Sequence, residues 1–163
     1  MAVRNCREIG ANLQLIVRRL MANDTLVNLL YYTDVDPLAN EHLTEEQKRE
    51  KIFEKLIKIT PVVTEKELSQ TTIAITVIKG NKNSSNNEFR NVSIRIETFI
   101  PLNQWLIRHE NLRPFLILGE IQESLDQKTV NGLGKLDGGD FELSFLTNEV
   151  ACYTQMFDII TYD

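Results

Sequence analysis

Residues able to do catalysis or hold a metal are few in this chain and poorly spaced for either task. His42 lies in a polar loop and His109 in a charged link, Arg108-His109-Glu110; neither has a Ser or Cys beside it to activate as a nucleophile. Both read as surface histidines. Asp34 and Asp36, with Glu41, resemble a sparse cation loop, but the central Gly and terminal bidentate Glu of a calcium loop are not in place, so a turn is expected. Asp137-Gly138-Gly139-Asp140 supplies two carboxylates, too few for a hard cation. Its glycines allow positive φ on the approach to a strand, and its Asp residues bond local amides. Asn131-Gly132-Leu133-Gly134 is no phosphate cradle, because a cradle needs a strand before the glycines and a helix after, and here that order is reversed. Cys6 and Cys152 share no metal-ligand spacing with either His and are expected to be reduced and buried. The expectation is therefore a protein that is not an enzyme, with no cofactor and no metal.

Composition bounds what remains. The 163 residues suit one domain, residues 1–163, with a helical part over 1–60 and a strand-rich part over 61–163. With 42% hydrophobic and 25% charged residues, 7 Gly and 4 Pro, collagen-like, disordered and disulfide-scaffold classes are excluded. The net charge is −5, unevenly spread: residues 1–60 are neutral, and 120–163 carry nine acids against Lys128 and Lys135. Such a segment repels phosphate, so neither DNA affinity nor a polybasic membrane patch is expected. No run approaches the roughly 18 apolar residues of a membrane span. The first apolar stretch is broken by Arg4, Arg7 and Glu8, which argues against a signal peptide and for a cytosolic site of synthesis. The sequons at Asn83 and Asn91 are then idle.

The elements that must carry any functional surface follow from periodicity. Val3, Cys6, Ile9, Leu13, Ile16, Val17 and Leu20 recur at steps of three and four, one face of a helix. Asn23-Asp24 offers a break and a new cap before a short second helix over 25–32. Thr44-Glu45-Glu46-Gln47 has the spacing of a capping box. A third helix is expected over about 45–58, burying Ile52, Phe53, Leu56 and Ile57 and stopped by Pro61.

Past Pro61 the period becomes two. Ile73, Ile75 and Val77 alternate with Thr72, Ala74 and Thr76; Val92, Ile94 and Ile96 alternate with Asn91, Ser93, Arg95 and Glu97. These two strands form a hairpin whose polar tip, residues 80–88, is longer than most hairpin loops, and unusual loop length is often functional. Within it Lys82, Asn83, Ser84, Ser85, Asn86 and Asn87 are candidate contact residues. Pro101 ends the strand, and a turn over 102–107 carries the single tryptophan, Trp105. A helix over 112–126 has Pro114 in its first turn, where a missing N–H costs little. Phe141, Leu143 and Phe145 alternate with Glu142 and Ser144, and residues 150–160 form a last strand. The fold class is α+β: N-terminal helices, then β-β-α-β-β, an antiparallel hairpin sheet packed on helices. A domain of this kind without a catalytic constellation works through its surface, and its edge strands need covering, which a neighbouring subunit can do.

The succession of an amphipathic helix (3–20), a hairpin (71–100), a helix (112–126) and a second hairpin (141–160) resembles the tail terminator, or tail-completion, proteins of tailed bacteriophages and the related head-tail neck proteins. The ending Phe141-Glu142-Leu143-Ser144-Phe145, followed by the strand from Val150 with Tyr153 near its start, is similar to that family's closing pair of strands. The resemblance covers nearly the whole chain by element order and rests on a shared fold rather than a residue signature.

The resemblance implies a virion subunit, commonly of a hexameric ring, that caps the tail tube and meets neck or connector proteins. It implies partners in a second copy of itself, the tail tube, the neck and a tail sheath. DNA would pass through the channel without specific binding, and the host cytoplasm would be the place of assembly. The tip residues Lys82 to Asn87 would reach a neighbouring ring, and Asp137, Asp140, Glu142 and Glu149 would face the channel. Helix 45–58 lies outside the minimal pattern and would be an outer decoration or a sheath contact. The alternatives are another neck or baseplate component, or a small ligand-binding domain or enzyme using the cleft between Trp105 and helix 112–126.

Overall fold

In the computed structural model, residues 6–61, 68–82, 89–109, 111–130 and 134–160 are described. The amphipathic stripe at the start forms α1 (Cys6–Met21), which buries Ile16, Val17, Leu20 and Met21. The first turns of α1 run past the core, so Cys6 is exposed rather than buried as its place on the stripe suggested. Asn23 caps α2 (Asp24–Tyr31) by accepting the Leu26 N–H. The same side chain donates to Glu120 and Ser124, which ties the start of α2 to a helix nearly a hundred residues on.

The capping box forms as expected: the Gln47 N–H donates to Thr44 Oγ1 and the Thr44 N–H to Gln47 Oε1. The helix it starts, α3 (Glu45–Lys51), is half the expected length. Ile52 closes it, Glu54 takes a positive φ of 57°, and the chain turns into a two-residue strand, β1 (Ile57–Lys58). The expectation of a helix to residue 58 failed for a physical reason. Ile52, Leu56 and Ile57 are buried as a helical stripe would bury them, but the chain there pairs in parallel with the sheet through Ile57–Ile73, and Phe53 is left exposed.

The sheet is built on two long hairpins. The first is β2 (Thr72–Lys82) with β3 (Phe89–Pro101), in the expected alternation as far as Val77, past which the register slips between Val77 and Lys79 and again between Asn81 and Lys82. Short strands β4 (Leu106–Ile107) and β5 (Asn111–Leu112) lead into α4 (Arg113–Leu125), with Pro114 in its first turn. After β6 (Thr129–Val130) comes the second hairpin, β7 (Gly134–Phe145) and β8 (Val150–Ile160). Strand order is β1-β2-β3-β8-β7-β6, antiparallel except at β1. The protein is α+β, with helices first and the sheet after.

The two sheet faces differ. Ile73, Ile75, Ile94, Ile96 and Phe157 face the helices and share one core with α1, α2 and α4; each such buried side chain contributes about 1.5–3 kcal/mol. On the opposite face a small cluster of Leu68, Ala74, Phe99, Val150 and Cys152 covers one end. That is why Thr72 and Ala74 are buried although alternation puts them away from the main core. The rest of this face is polar: Ser93, Arg95 and Glu97 from β3 beside Thr154 and Asp158 from β8.

Candidate functional site

The glycines 138 and 139 lie inside β7, not before it. The register slips between Gly138 and Asp140, a β-bulge with φ of 152° and 114° at the two glycines. A Cβ at Gly138 would sit 2.2 Å from the Met156 carbonyl oxygen, so only glycine lets β7 lie against β8 there. The bulge sets which residues face which way along the rest of the strand. Asp137, Asp140 and Glu142 stand opposite Asp158, Met156 and Thr154, on the face away from the helices. Phe141, Leu143 and Phe145 stand opposite Gln155, Tyr153 and Ala151, on the helix side.

Helix α4 covers this hairpin only as far as Phe115. The Phe115 ring lies 6.0 Å from Phe141 and 5.6 Å from Tyr153, and Tyr153 lies 5.9 Å from both Phe141 and Trp105. These offset and edge-on rings form a surface aromatic cluster. Phe141, at the cluster's edge, is 55% exposed, and past it the strand runs on into solvent, with Phe145 64% exposed and Leu143 and Leu146 exposed beside it. Phe141, Leu143 and Phe145 thus leave a row of exposed apolar side chains on one face of the strand. The outer edge of β7 is bare as well beyond Gly138: β6 pairs with Gly134 and Lys135, Leu136 exchanges backbone bonds with Gln127 and Lys128, the Gly138 N–H donates to Asp126, and residues 139–145 have no outer neighbour among the described residues.

Of the four carboxylates expected to face a channel, Asp137, Asp140 and Glu142 are brought into one row, and Asp137 also accepts from Gln127. Glu149 is apart from them, exposed in the β7–β8 turn, where its carbonyl accepts the Leu102 N–H. Lys82 is exposed at the end of β2, paired with Phe89, so the strand extends into what the sequence suggested was loop. Asn83, Ser84, Ser85, Asn86 and Asn87 lie outside the described residues.

Sequence reasoning missed the two polar centres of the interior. Arg113 is fully buried at the start of α4 and donates to the carbonyls of Gln104, Leu29, Tyr32 and Asp34. It thereby caps the last turn of α2. Burial lowers its pKa, opposed by the nearby Asp34 carboxylate. Gln104 continues the network, accepting from the Thr71 N–H and hydroxyl and donating to the Ser69 carbonyl. The second centre is Lys48, whose side chain is 4% exposed and lies 2.7 Å from Asp24 and 3.0 Å from Glu45. His42 sits 3.3 Å from the other Asp24 oxygen, so it belongs to this surface-edge cluster.

The remaining chemistry-bearing residues are dispersed. Asp34 accepts from the Asp36 N–H and from Asn40, the expected turn, and Asp36 pairs with Arg108 at 3.0 Å. His109 is exposed with a positive φ of 65°. Trp105 is half-buried against Ile100, Leu118 and Tyr153. Among the described residues no three His, Cys, Asp or Glu side chains converge as metal ligands, and no helix is long and apolar enough to cross a membrane.

The fold and its bare hairpin define an α+β domain with a six-stranded mixed sheet, a separate β4–β5 pair, helices on one face of the large sheet and open strand edges. The sequence model of the YomW family matches residues 23–159, from the cap of α2 to the end of β8, and the chain belongs to that family. Membership associates the chain with phage. No curated protein matches the chain.

Proposed function

We propose that this chain is a structural virion protein of a tailed bacteriophage, a tail-terminator or neck subunit that works as a homo-oligomeric ring and not as an enzyme. The observation that carries the reading is the outer β7 edge, residues 139–145 with no strand beyond them among the described residues, beside an exposed aromatic face. A monomer leaves such an edge liable to aggregate, and a subunit of an assembly covers it. In this reading Asp137 and Asp140, beside Asp158 on the polar face, line the channel, where like charge lets DNA slide without adhering. Glu142 and Glu149 lie at the aromatic end of the hairpin, toward a neighbouring subunit. The tail tube, the neck and a sheath are the partners, met through the ring's two rims. The ring assembles in the host cytoplasm, and the tip from Lys82 to Asn87 supplies a contact with the next ring.

The test is composition. Quantitative mass spectrometry of purified phage particles is expected to find this chain at a few copies per particle, and antibody labelling to place it at the head-tail junction. Its absence from washed, infectious particles overturns the reading.

A further inference from the structure

Past its bulge, β7 offers free backbone in a fixed pattern. The Leu146 N–H donates to the Val150 carbonyl, and at the start of β8 the Glu149 carbonyl accepts from the Leu102 N–H on the β3 side. Val150, Cys152 and Thr154 therefore turn their backbone groups toward β7. Their partners Ser144 and Glu142 turn inward to meet Cys152 and Thr154, which leaves Phe141, Leu143 and Phe145 with N–H and C=O pointing outward. The same three residues carry the exposed apolar side chains on the helix side, while Glu142 and Ser144 between them face the other way.

The segment Phe141-Glu142-Leu143-Ser144-Phe145 reads the same in both directions at its apolar positions and differently at its polar ones. A two-fold axis through Leu143, normal to the sheet, sets a second copy antiparallel with Leu143 against Leu143, Phe141 against Phe145 and Glu142 against Ser144. Each outward N–H then meets an outward C=O, ring meets ring, and a carboxylate faces a hydroxyl that can donate to it. Neighbouring axes fail. One at Phe141 sets Asp140 against Glu142, and one at Glu142 sets that carboxylate against its own copy, both like-charge cross-strand contacts. One at Ser144 carries Phe141 past the end of the partner strand at Phe145.

We infer that two copies of this chain pair edge to edge through residues 141–145 of β7, antiparallel about Leu143, so that one sheet runs through both. The second copy's Phe145, set against Phe141, extends the aromatic cluster of Phe115, Phe141 and Tyr153 across the junction. This accounts for a phenylalanine that is 64% exposed within its own chain. The inference goes beyond the virion reading. An isologous contact closes at two copies, so the pair is the state of the chain before it joins a ring with two different rims, and the aromatic edge stays covered until the copies part.

Sedimentation velocity on the full chain tests this with Leu143→Lys and Leu143→Glu, each checked for an unchanged circular dichroism spectrum. Leu143 is 43% exposed in the single chain and stands against its own copy only in this register. The expected result is a wild-type dimer, monomers for either variant alone, and a dimer again on mixing the two in equal amounts, because lysine then faces glutamate. Hydrogen exchange on the wild type gives a second reading that needs no variant. The amides of Phe141, Leu143 and Phe145 are expected to exchange freely in dilute protein and to become protected as the concentration rises. A wild-type chain that stays monomeric up to hundreds of micromolar, or one that forms an assembly larger than a dimer, overturns the pairing. So do variants that dimerise as well as the wild type, a mixture that stays monomeric, and amides at these three positions that stay open in the dimer. Whether the chain is in the virion is decided separately by particle composition.

Discussion

Lys48 places its ammonium 2.7 Å from the Asp24 carboxylate while almost all of its own side chain is out of solvent. The pair joins the first turn of α2 to α3. Hydrogen bonding from Lys48 holds the Asp24 carboxyl below its ordinary 3.8, against a smaller opposing effect of burial. For Lys48, burial is the largest influence and lowers the pKa, but the bonds to Asp24 and Glu45 together outweigh it and hold the ammonium above 10.5.

The pH dependence follows from those two directions. Asp24 is depressed on folding, so its contribution is present above 3.8 and is lost as pH falls through the lower folded value. Lys48 is raised, so its contribution is complete below 10.5 and is lost as pH rises through the higher folded value. Comparing the melting temperatures of the wild type and Lys48→Met, we expect a constant gap across neutral pH that narrows in the acid limb below about pH 4. A gap that stays constant to the foot of the acid transition contradicts the pairing.

Arg113 satisfies four carbonyls in a site closed to water. Truncating it strips partners from the end of α2 and leaves buried acceptors unpaired, so Arg113→Ala is expected to cost about 3–5 kcal/mol. Urea denaturation measures this; a loss under about 1 kcal/mol would mean that water replaces the guanidinium. Arg113→Lys, which cannot fork to four acceptors, should recover only part.

Gly138 predicts a steric penalty separate from any interface effect. Gly138→Ala must move the new methyl or the Met156 carbonyl, and its φ is one that alanine resists. The expected loss is more than about 1 kcal/mol in denaturant titration. Gly10→Ala, where an added methyl meets nothing within 4 Å, is the control and should not destabilise.

The cysteines should react at different rates. Cys6 is exposed, whereas Cys152 is buried and its pKa is raised by burial and by the nearby Glu97 carboxylate. Alkylation of the native protein followed by mass mapping is expected to mark Cys6 first, with Cys152 modified only at the rate of unfolding. Equal labelling of both would show that the cluster around Leu68 opens readily.

Local patterns were legible in the sequence where one element explains them. The Thr44 capping box and the alternation around Ile94 involve neighbours within a few residues and needed no tertiary knowledge. The third helix was overextended because Ile52, Leu56 and Ile57 fit a helical stripe as well as they fit a turn packed on the sheet edge; burial is the same and only the pairing with Ile73 decides. Arg113 could not be read, because its acceptors are backbone carbonyls, three of them about eighty residues earlier, and leave no mark on side-chain identity. At the hairpin, alternation assigned Phe141 and Glu142 to opposite faces, but which aromatics lack a helix above them depends on where α4 ends its cover. The glycine pair 138–139 signals positive φ next to a strand, but that it forms a bulge inside β7 depends on the pairing with Met156 and Phe157 of β8.

The Arg113 network also orders events on the ribosome. The last turn of α2 is synthesised some eighty residues before the guanidinium that satisfies its carbonyls emerges. Until then the nascent helical segment carries open acceptors and an apolar stripe with no sheet to rest on. Such a topology makes early helix formation reversible and ties its completion to a late, long-range closure. Stalled or truncated translation products ending before residue 113 should accordingly be substrates for chaperones and proteases rather than folded halves, and the supply of folded chain is coupled to complete synthesis.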